Sequence, residues 1–324
     1  MKLSRVIFAI GPLLAMVAFA PAQAQSWPSR PVTIVAPYPA GGTPDLIARA
    51  IAEKMGALLG SPVVVDPKPG GNGAIGTDVV ARAAPDGYTL LLATLSHVTN
   101  PLLQRAVKWD PVADFAGVAE IVTAPVVAVV PSTLPVTNLA EFVAYAKKSP
   151  GKLNYLMPGI GTSMHLNTEM LKKVAGIDLV AIPYKGTPLG LPGLLTGELS
   201  FAMLPLSTAA AQISSGKLKA LAVVSPSRLK QLPDVPTLSQ AGFPGAEVLS
   251  WYLVLAPAGT PKAIIARLND VVMKTIADPE IRERLQKLGA YASDPKTSSQ
   301  IDSMLAAETS RWTTTFRELK IEAQ

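Results

Sequence analysis

The chain of 324 residues lacks cysteine altogether and has only two histidines, His97 and His165. Without cysteine it can form neither a disulfide nor a thiolate metal site, and it has no thiol nucleophile. Two histidines without cysteine also argue against a zinc site, since zinc is normally held by several His or Cys side chains. The sequence therefore predicts a protein without a metal ion, whose stability comes from its apolar core alone.

Charged side chains are also scarce, at 16% of the residues, and the formal net charge is +6. Binding to a phosphate backbone normally shows as a clustered stripe of Lys and Arg with aromatic or motif support, and no such block is present. We therefore expect no nucleic-acid partner. The hydrophobic share of 49% excludes a disordered chain.

The N-terminus has the pattern of an exported protein. Lys2 and Arg5 precede an apolar run, Val6–Ala20, which is followed by Ala22-Gln23-Ala24. A basic start, an apolar core and an A-x-A site are typical of a secretory signal peptide. Because the run of about 15 residues is shorter than the roughly 20 that span a bilayer, we expect residues 1–24 to be removed and the remaining chain to be soluble outside the cytoplasm.

Short β-rich runs alternate with helical patterns along the rest of the chain. Strands are predicted at Val32–Ala36, Val63–Val65, Leu90–Ala93, Val126–Val130, Leu153–Met157, Leu179–Pro183, Leu218–Val224 and Trp251–Leu255. Helices are predicted at Pro44–Leu59, Thr77–Ala84, Leu139–Lys147, Ser163–Val174, Leu189–Leu195, Pro261–Ala277 and Pro279–Leu288. Such alternation predicts parallel sheets covered on both faces by helices. Because about 300 residues exceed what one core usually supports, we expect two α/β lobes with a cleft between them.

Loops that follow the strands carry the candidate site. In open parallel sheets, ligands bind beyond the carboxyl ends of the strands, where loops lead into helix N-termini. Four such loops, PAGGTPD, GGNGAIG, ATLSHVTN and GIGTSMHL, are unusually rich in Gly, Ser and Thr. Helix N-termini favour anions, and neutral hydroxyls and backbone amides suit carboxylate oxygens. We therefore predict a site for a small organic acid.

The segment GGNGAIG leaves two interpretations open. Gly71, Gly73 and Gly76 follow a predicted strand and satisfy G-x-G-x-x-G, the pattern of a dinucleotide-binding turn. The same glycines also suit a backbone turn at the cleft. An exported chain without further cofactor signals favours the turn, and we expect no bound cofactor.

A secreted hydrolase is the enzymatic alternative, with Ser163 or Ser96 as the nucleophile and a histidine as the base. However, G-x-S-x-G is absent, and Ser163 and His165 lie two positions apart, where helical side chains do not face each other. A lone histidine near a loop is more often a structural hydrogen-bonding group. The pattern favours a binding protein over an enzyme.

Several longer segments carry a family resemblance. They are WPSRPVTIVAPYPAGGTPDLIAR, PVVVDPKPGGNGAIGTDVVARAAPDGYTLLLAT, GKLNY with GTSMHL, IPYKGTPLGLPGLLTGEL, LPDVPTLSQAGFPG and SWYLVLAPAGTPKAIIARLN. In this order they cover nearly all of the chain after residue 24. Together they resemble the Bug family, the periplasmic solute-binding proteins of tripartite tricarboxylate transporters.

The resemblance implies an α/β type II periplasmic-binding-protein fold with two lobes around a ligand cleft. Residues 25–123 and 226–324 would form the first lobe, and residues 124–225 the second. It further implies a monomer in the periplasm that captures a small carboxylate, either a dicarboxylate or an aromatic acid, and delivers it to the membrane permease of the transporter. A periplasmic sensor or adaptor that presents the bound state to a receptor is an alternative that the sequence leaves open.

By the same resemblance, the carboxylates contact the first β–α loop and the G-T-S loop. The full set of expected ligand contacts is Tyr38, Ala40, Gly41, Gly42, Thr43, Asn72, Gly73, Thr94, Ser96, His97, Gly161, Thr162, Ser163, His165, Tyr184 and Leu204. Leu204 stands where relatives often carry an aspartate that can hold an amino group. We therefore expect a ligand with carboxylate ends and an apolar middle rather than an amino acid.

Overall fold

The computed structural model of the protein describes residues 27–319, 321 and 323. The expected signal peptide, residues 1–24, lies outside the described residues. The strands are β1 (Val32–Ala36), β2 (Val63–Pro67), β3 (Thr89–Ala93), β4 (Phe115–Thr123), β5 (Val126–Pro131), β6 (Asn154–Met157), β7 (Val180–Pro183), β8 (Ala202–Pro205), β9 (Leu218–Val224), β10 (Trp251–Pro257) and β11 (Tyr291–Ala292). The helices are α1 (Thr43–Leu59), α2 (Ala74–Ala81), α3 (Ser96–Leu103), α4 (Leu139–Lys147), α5 (Ser163–Ala175), α6 (Thr187–Thr196), α7 (Leu206–Ser214), α8 (Lys262–Ala277), α9 (Pro279–Lys287) and α10 (Ser298–Glu318).

The strands form two groups along the chain. The first group is a six-stranded sheet in the order β11-β4-β10-β3-β1-β2. The second contains the three-stranded sheet β8-β5-β9 and the pair β6-β7, joined by a bridge between Tyr155 and Phe201. We call the elements of the six-stranded sheet with their helices the first lobe, and the elements from β5 to β9 the second lobe. The chain passes from the first lobe to the second between β4 and β5 and returns before β10.

The sheets are mixed rather than parallel, which corrects the expectation from strand–helix alternation. β1 runs parallel to β2 and β3, but β10 runs antiparallel to both β3 and β4. In the second lobe, β5 is antiparallel to β8 and β9. β10 begins at Trp251 opposite Thr123, where β4 ends. The chain therefore returns to the sheet at the same end of the strands from which it left. As a result, β10 must run in the opposite direction to β4.

Local sequence signals set the ends of several helices. α1 has Pro44 in its first turn and ends at Gly60, whose φ of 73° is left-handed and whose N–H bonds the carbonyl of Gly56. Such a glycine stop is the common way to satisfy the last carbonyls of a helix. α4 begins after Asn138, whose side chain accepts a hydrogen bond from the N–H of Glu141. Within residues 27–319, no helix has the length and apolar character needed to cross a membrane.

Helices cover both faces of the central strands and produce two cores in each lobe. In β10, Leu253 packs in one core and Val254 in the other, and neither is exposed. The same alternation occurs in β8, where Met203 and Leu204 are both fully buried on opposite faces. One second-lobe helix also contributes to a first-lobe core, since Leu166 of α5 is fully buried in the cluster that contains Trp312. The two lobes are therefore packed together along α5.

Candidate functional site

The loop between β1 and α1 is a tight turn held by its own hydrogen bonds. Gly41 has a φ of +79°, and its N–H bonds the Asp45 carboxylate at 2.9 Å, while the N–H of Gly42 bonds the carbonyl of Pro39 at 3.2 Å. These two amides are therefore occupied within the loop. Ala40 and Gly41 are exposed, and Thr43 begins α1. The first turn of a helix leaves N–H groups without intrahelical acceptors, so the start of α1 favours an anion.

The buried Asp45 carboxylate stabilises this turn. It is only 3% exposed, and the Nε of Arg49 donates to both of its oxygens at 3.0 and 3.1 Å. Burial acts to raise the pKa of Asp45, but the hydrogen bonds from Arg49 and Gly41 outweigh it and hold the pKa below its usual value. The carboxylate is thus ionised and already paired, so Arg49 neutralises a charge that would otherwise repel an anion in the adjoining loop.

The loop after β3 contributes hydroxyls at the same edge of the sheet. The hydroxyls of Thr94 and Tyr38 are 2.6 Å apart, and burial raises the pKa of Tyr38, which keeps the phenol protonated. Ser96 is nearly fully buried. These side chains bond one another, and Tyr38 and Thr94 retain partial exposure.

His97 lies below this edge rather than on it. Its ring is 2% exposed, its Nε2 is 2.8 Å from the carbonyl of Pro111, and it packs edge-on against Phe115 with ring centroids 4.5 Å apart. Burial lowers the pKa of His97 to about 4, so the ring is neutral at physiological pH. The structure therefore gives His97 a role in packing, and the expected contact with a ligand has no exposed surface to support it.

The glycine turn GGNG joins β2 to α2 in a short 3-10 turn, Gly71–Gly73. Asn72 has a φ of +55° and points its amide at the second lobe, where Nδ2 donates to the carbonyl of Ile160 at 2.8 Å. The same Nδ2 is 3.2 Å from the hydroxyl of Ser96. Gly73 is buried beside Tyr38, whose hydroxyl would be 3.3 Å from an added Cβ. The turn therefore contacts protein on both sides.

The loop between β6 and α5 is held by hydrogen bonds from its own side chains. Thr162 caps α5, since its Oγ1 accepts from the N–H of His165 at 3.3 Å and donates to the carbonyl of Gly159 at 2.8 Å. The Nδ1 of His165 accepts a hydrogen bond from the N–H of Gly161 at 3.1 Å, and burial lowers the pKa of this histidine. Both residues are thus turned towards their own loop.

Ser163 is not activated as a nucleophile. Its hydroxyl accepts a hydrogen bond from Ser250 at 2.6 Å and contacts the sulfur of Met164, whereas His165 uses Nδ1 on Gly161. A serine nucleophile needs a base within hydrogen-bond reach, and no such pair is formed at this helix start. Among the residues that the structure describes, no group of three or more metal-binding side chains comes together.

Two further expected contacts lie in the second lobe. Tyr184 is half-buried against α6, where its ring would be 3.1 Å from a Cβ at Gly190. Leu204 has no exposed surface, because helices cover both faces of β8. The expectation that Leu204 lies along the ligand is therefore not met by its position in this structure. Beyond Pro205, Leu206 is also buried, and Ser207 is the next exposed residue.

Sequence reasoning missed two residues at this edge. Ser207, at the start of α7, is exposed, and its Oγ lies 3.3 Å from the hydroxyl of Thr43 in the other lobe. Tyr252 is the one residue of β10 that is not fully buried, and burial nevertheless raises its pKa. The signal for Ser207 was present as L-S-T after an apolar run, the same pattern as in the predicted loops. It was missed because β8 spans only four residues.

Most of the chain matches a known protein family. Residues 47–321 match the model of the tripartite tricarboxylate transporter family receptor. The chain belongs to this family. The receptor is 32% identical over 321 residues to the protein BugT of Bordetella pertussis, with 98% of each chain covered. This confirms the resemblance to the Bug family.

Solved structures of relatives agree with the receptor's fold. The periplasmic binding protein BugD is 36% identical, with a TM-score of 0.82 over 92% of this chain and 100% of BugD. Rpa4515 of R. palustris, solved with adipate, is 33% identical with a TM-score of 0.84 over 92% and 100% of the two chains. MatC of Rhodopseudomonas palustris, solved with bound malate, is 32% identical with a TM-score of 0.79 over 89% and 99%.

These relatives decide between a binding protein and an enzyme. They are periplasmic binding proteins, not enzymes, and the receptor shares their two-lobe α/β fold. The receptor is therefore a solute-binding protein rather than a hydrolase. Family membership also implies a periplasmic location, a small-molecule ligand and membrane components of a transporter as partners.

Proposed function

We propose that this receptor binds a small dicarboxylate in the cleft between its lobes and delivers it to the membrane subunits of a tripartite tricarboxylate transporter. The relatives Rpa4515 and MatC were solved with adipate and malate, and both of these ligands are dicarboxylates without an amino group. This chemistry fits a cleft that offers neutral donors.

One observation carries the proposal. Helix starts from opposite lobes face each other across the cleft, with the hydroxyls of Thr43 on α1 and Ser207 on α7 only 3.3 Å apart. The loop that leads into α5 contacts Asn72 through the carbonyl of Ile160, and Asn72 in turn lies within hydrogen-bond reach of Ser96. Each helix start favours a negative charge, so a ligand with an acid group at each end matches the arrangement.

The contacts that we propose are residues with exposed or partly exposed atoms at these helix starts and in the loops and strand beside them. They are Tyr38, Ala40, Gly42, Thr43, Thr94, Thr162, Ser163, Tyr184, Ser207 and Tyr252. None of them is acidic, and the nearby Asp45 is already paired with Arg49. An ammonium group would therefore find no partner, which disfavours amino acids as ligands. The aromatic rings, rather than Leu204, would contact the apolar middle of the ligand.

We further propose the lobe boundaries given by the chain crossings. Residues 25–123 and 248–324 would form the first lobe and residues 124–247 the second, because β4 ends at Thr123. This moves the boundary expected at residue 226, since Leu229, Leu238 and Ala246 pack in the second-lobe cores after β9 ends. Removal of residues 1–24 on export and a monomeric state complete the proposal.

A thermal-shift panel on the mature protein tests the ligand class. Malate, adipate and succinate are compared with aspartate, glutamate and benzoate. A ligand at 100 times its Kd adds about 2.7 kcal/mol to the stability, which corresponds to a rise of roughly 5 to 10 °C in Tm. We expect this rise for at least one dicarboxylate and not for the amino acids. Tightest binding to aspartate or glutamate would overturn the proposed ligand class.

Two variants on one helix test the site. Ser207→Ala removes a hydroxyl at the start of α7, and Ser214→Ala removes one at its end, where it bonds the carbonyl of Ala210. A hydrogen bond to a charged group contributes about 1.5 to 3 kcal/mol, so Ser207→Ala should weaken dicarboxylate binding about tenfold or more by titration calorimetry. The Ser214→Ala control should bind as the parent does. Equal affinity in both variants would exclude Ser207 from the site.

A further inference from the structure

The loop Gly159–Thr162, which precedes α5, belongs to the second lobe by connectivity but lies on residues of the first. The hydroxyl of Thr99 on α3 donates to the carbonyl of Gly161 at 2.9 Å, and this bond is buried. The amide of Asn72 donates to the carbonyl of Ile160 at 2.8 Å. Two consecutive carbonyls of the loop are thus satisfied by the other lobe. Loss of the Thr99 bond would leave the buried carbonyl of Gly161 unpaired.

Gly161 shows how closely the loop approaches α3. Its φ is +77°, and a Cβ added there would lie 2.5 Å from Cδ1 of Leu103 and 2.8 Å from Oγ1 of Thr99. Only a residue without a side chain fits between the loop and α3. The loop therefore packs directly on α3, with no room for a side chain between them.

The helix that follows continues this attachment. Leu166 is fully buried in the first-lobe core, and Asn167 bonds both the N–H and the carbonyl of Val248, at 2.9 and 2.8 Å. Further along α5, Lys173 pairs with Glu318 of α10 at 2.8 Å. The start of α5 is thus held to the first lobe by apolar packing and by buried hydrogen bonds.

The contacts on the other side of the cleft are of a different kind. The pair between Thr43 and Ser207 joins exposed hydroxyls, and the bond from Tyr291 to Gln231 is also exposed. Gly289 approaches the backbone of Ser207 as closely as Gly161 approaches α3, since an added Cβ would lie 2.8 Å from the nitrogen of Ser207. The difference between the two sides therefore lies in their hydrogen bonds, which are exposed here. Exposed polar contacts separate at little cost because water replaces them, whereas buried ones do not.

We propose that the loop Gly159–Thr162 is seated on the first lobe before any ligand binds, with Asn72 and Thr99 as its positioning residues, and that the cleft closes where Thr43 meets Ser207. The start of α1 and the start of α5 then form a preassembled part of the site, and α7 is the element that moves. The identity of the moving element rests on the proposed function. Preassembly lowers the ordering cost of binding.

Engineered disulfides test this because the chain has no cysteine of its own. The pair Ser163→Cys/Ser250→Cys replaces hydroxyls that are 2.6 Å apart beside the loop Gly159–Thr162. The pair Thr43→Cys/Ser207→Cys replaces hydroxyls that are 3.3 Å apart where the cleft is proposed to close. Oxidation by oxidised glutathione is followed in the ligand-free protein and with added malate or adipate. The 163/250 pair should close about tenfold faster than the 43/207 pair without ligand, and at the same rate with it.

The two halves of the experiment fail separately. If both pairs close at the same rate in the ligand-free protein, the preassembly of the loop Gly159–Thr162 on the first lobe is refuted, whatever the effect of the ligand. The cysteine substitutions remove hydroxyls of the proposed site, so malate and adipate are added at concentrations that titration calorimetry shows to saturate the reduced variant. If the 163/250 pair is clearly the faster but no dicarboxylate binds the parent or accelerates the 43/207 pair, the proposed function fails and the preassembly of the loop Gly159–Thr162 remains. Acceleration of both pairs together by a dicarboxylate would show that the second lobe moves as one unit. That result would also refute the preassembly of the loop Gly159–Thr162 on the first lobe.

Substitutions at Thr99 test its role as a positioning residue in the 163/250 background. Thr99→Val keeps the shape but removes the hydroxyl that bonds Gly161, and Thr99→Ser keeps the hydroxyl. We expect the valine variant to close several-fold more slowly without ligand and the serine variant to restore the parent rate. Equal rates in the two variants would show that the hydroxyl does not hold the loop.

Discussion

The buried carboxylate of Asp45 allows a quantitative test of how the first binding loop is held. Asp45 accepts from the N–H of Gly41 at 2.9 Å and from Nε of Arg49 at 3.0 Å, and it is 3% exposed. In Asp45→Asn, the bond from Gly41 becomes a neutral one, which is roughly half as strong, and the bond from Arg49 loses its negatively charged acceptor. We therefore expect the free energy of unfolding to fall by about 1 to 2 kcal/mol at pH 7.

The chain provides a matched control on α2. Asp78 and Arg82 form the same i,i+4 pair, but their side chains are 40% and 72% exposed. Exposed ion pairs contribute little to stability, so Asp78→Asn should change the free energy of unfolding much less than Asp45→Asn. Urea unfolding at pH 7, with unchanged m-values, gives both numbers. Equal losses in the two variants would refute the claim that burial makes the Asp45 contacts strong.

The pH dependence of the Asp45 effect has a defined sign. The folded pKa of Asp45 lies below its unfolded value of about 3.9. A carboxyl with a depressed folded pKa contributes stability that is present above the unfolded pKa and is lost as the pH falls through the folded pKa. The difference between parent and Asp45→Asn should therefore be constant above about pH 5 and shrink below pH 4. A difference that persists at the lowest pH would contradict this account.

Two further predictions concern buried positions. His97 has a folded pKa of about 4 and an unfolded pKa of 6.5. Its protonation in the unfolded chain should therefore remove about 2 kcal/mol of stability between pH 7 and pH 5. In urea unfolding at these two pH values, the His97→Gln variant should lose correspondingly less stability, and equal losses would contradict the buried neutral ring. Leu204→Asp places an unpaired charge in a core with no exposed surface and should lower Tm severely or prevent folding, whereas Ser207→Asp on the surface should melt near the parent. A folded Leu204→Asp protein that binds aspartate would show that this side chain reaches the cleft.

Elements with complete local signals could be predicted from the sequence. α4 has the predicted bounds Leu139–Lys147, since a capping Asn138 precedes an apolar stripe. β1 and β9 also have their predicted bounds. In these segments the local preference and the packing agree, so no tertiary information is needed to place them.

The missed elements had conflicting or overlooked local signals. α3 lies where the sequence predicts the loop ATLSHVTN. Its hydroxyl residues and Pro101 give it a weak local preference for helix, yet tertiary packing makes it helical. α10 was not predicted although Thr297 and Gln300 form a capping box at its start. The direction of β10 depends on where the chain returns from the second lobe, and no local pattern encodes that.

The site shows the same division. Hydroxyls and glycines at helix starts indicated which loops meet, and the structure brings Tyr38, Thr94 and Asn72 to one edge. The hydrogen-bond partners of these side chains could not be predicted from the sequence, because bonds such as that of Asn72 with Ile160 join residues far apart in the chain. The same holds for His97, whose burial depends on a carbonyl at Pro111 and the ring of Phe115.

The double covering of β8 has an evolutionary consequence. Because Met203 and Leu204 each fill a different core, a change at either position forces neighbouring side chains to rearrange. Ser207, only three residues beyond Leu204, is exposed and carries no such burden. New ligand preferences in descendants of this receptor should therefore arise first at the start of α7, where a single codon can change the chemistry offered to a solute while the scaffold stays intact.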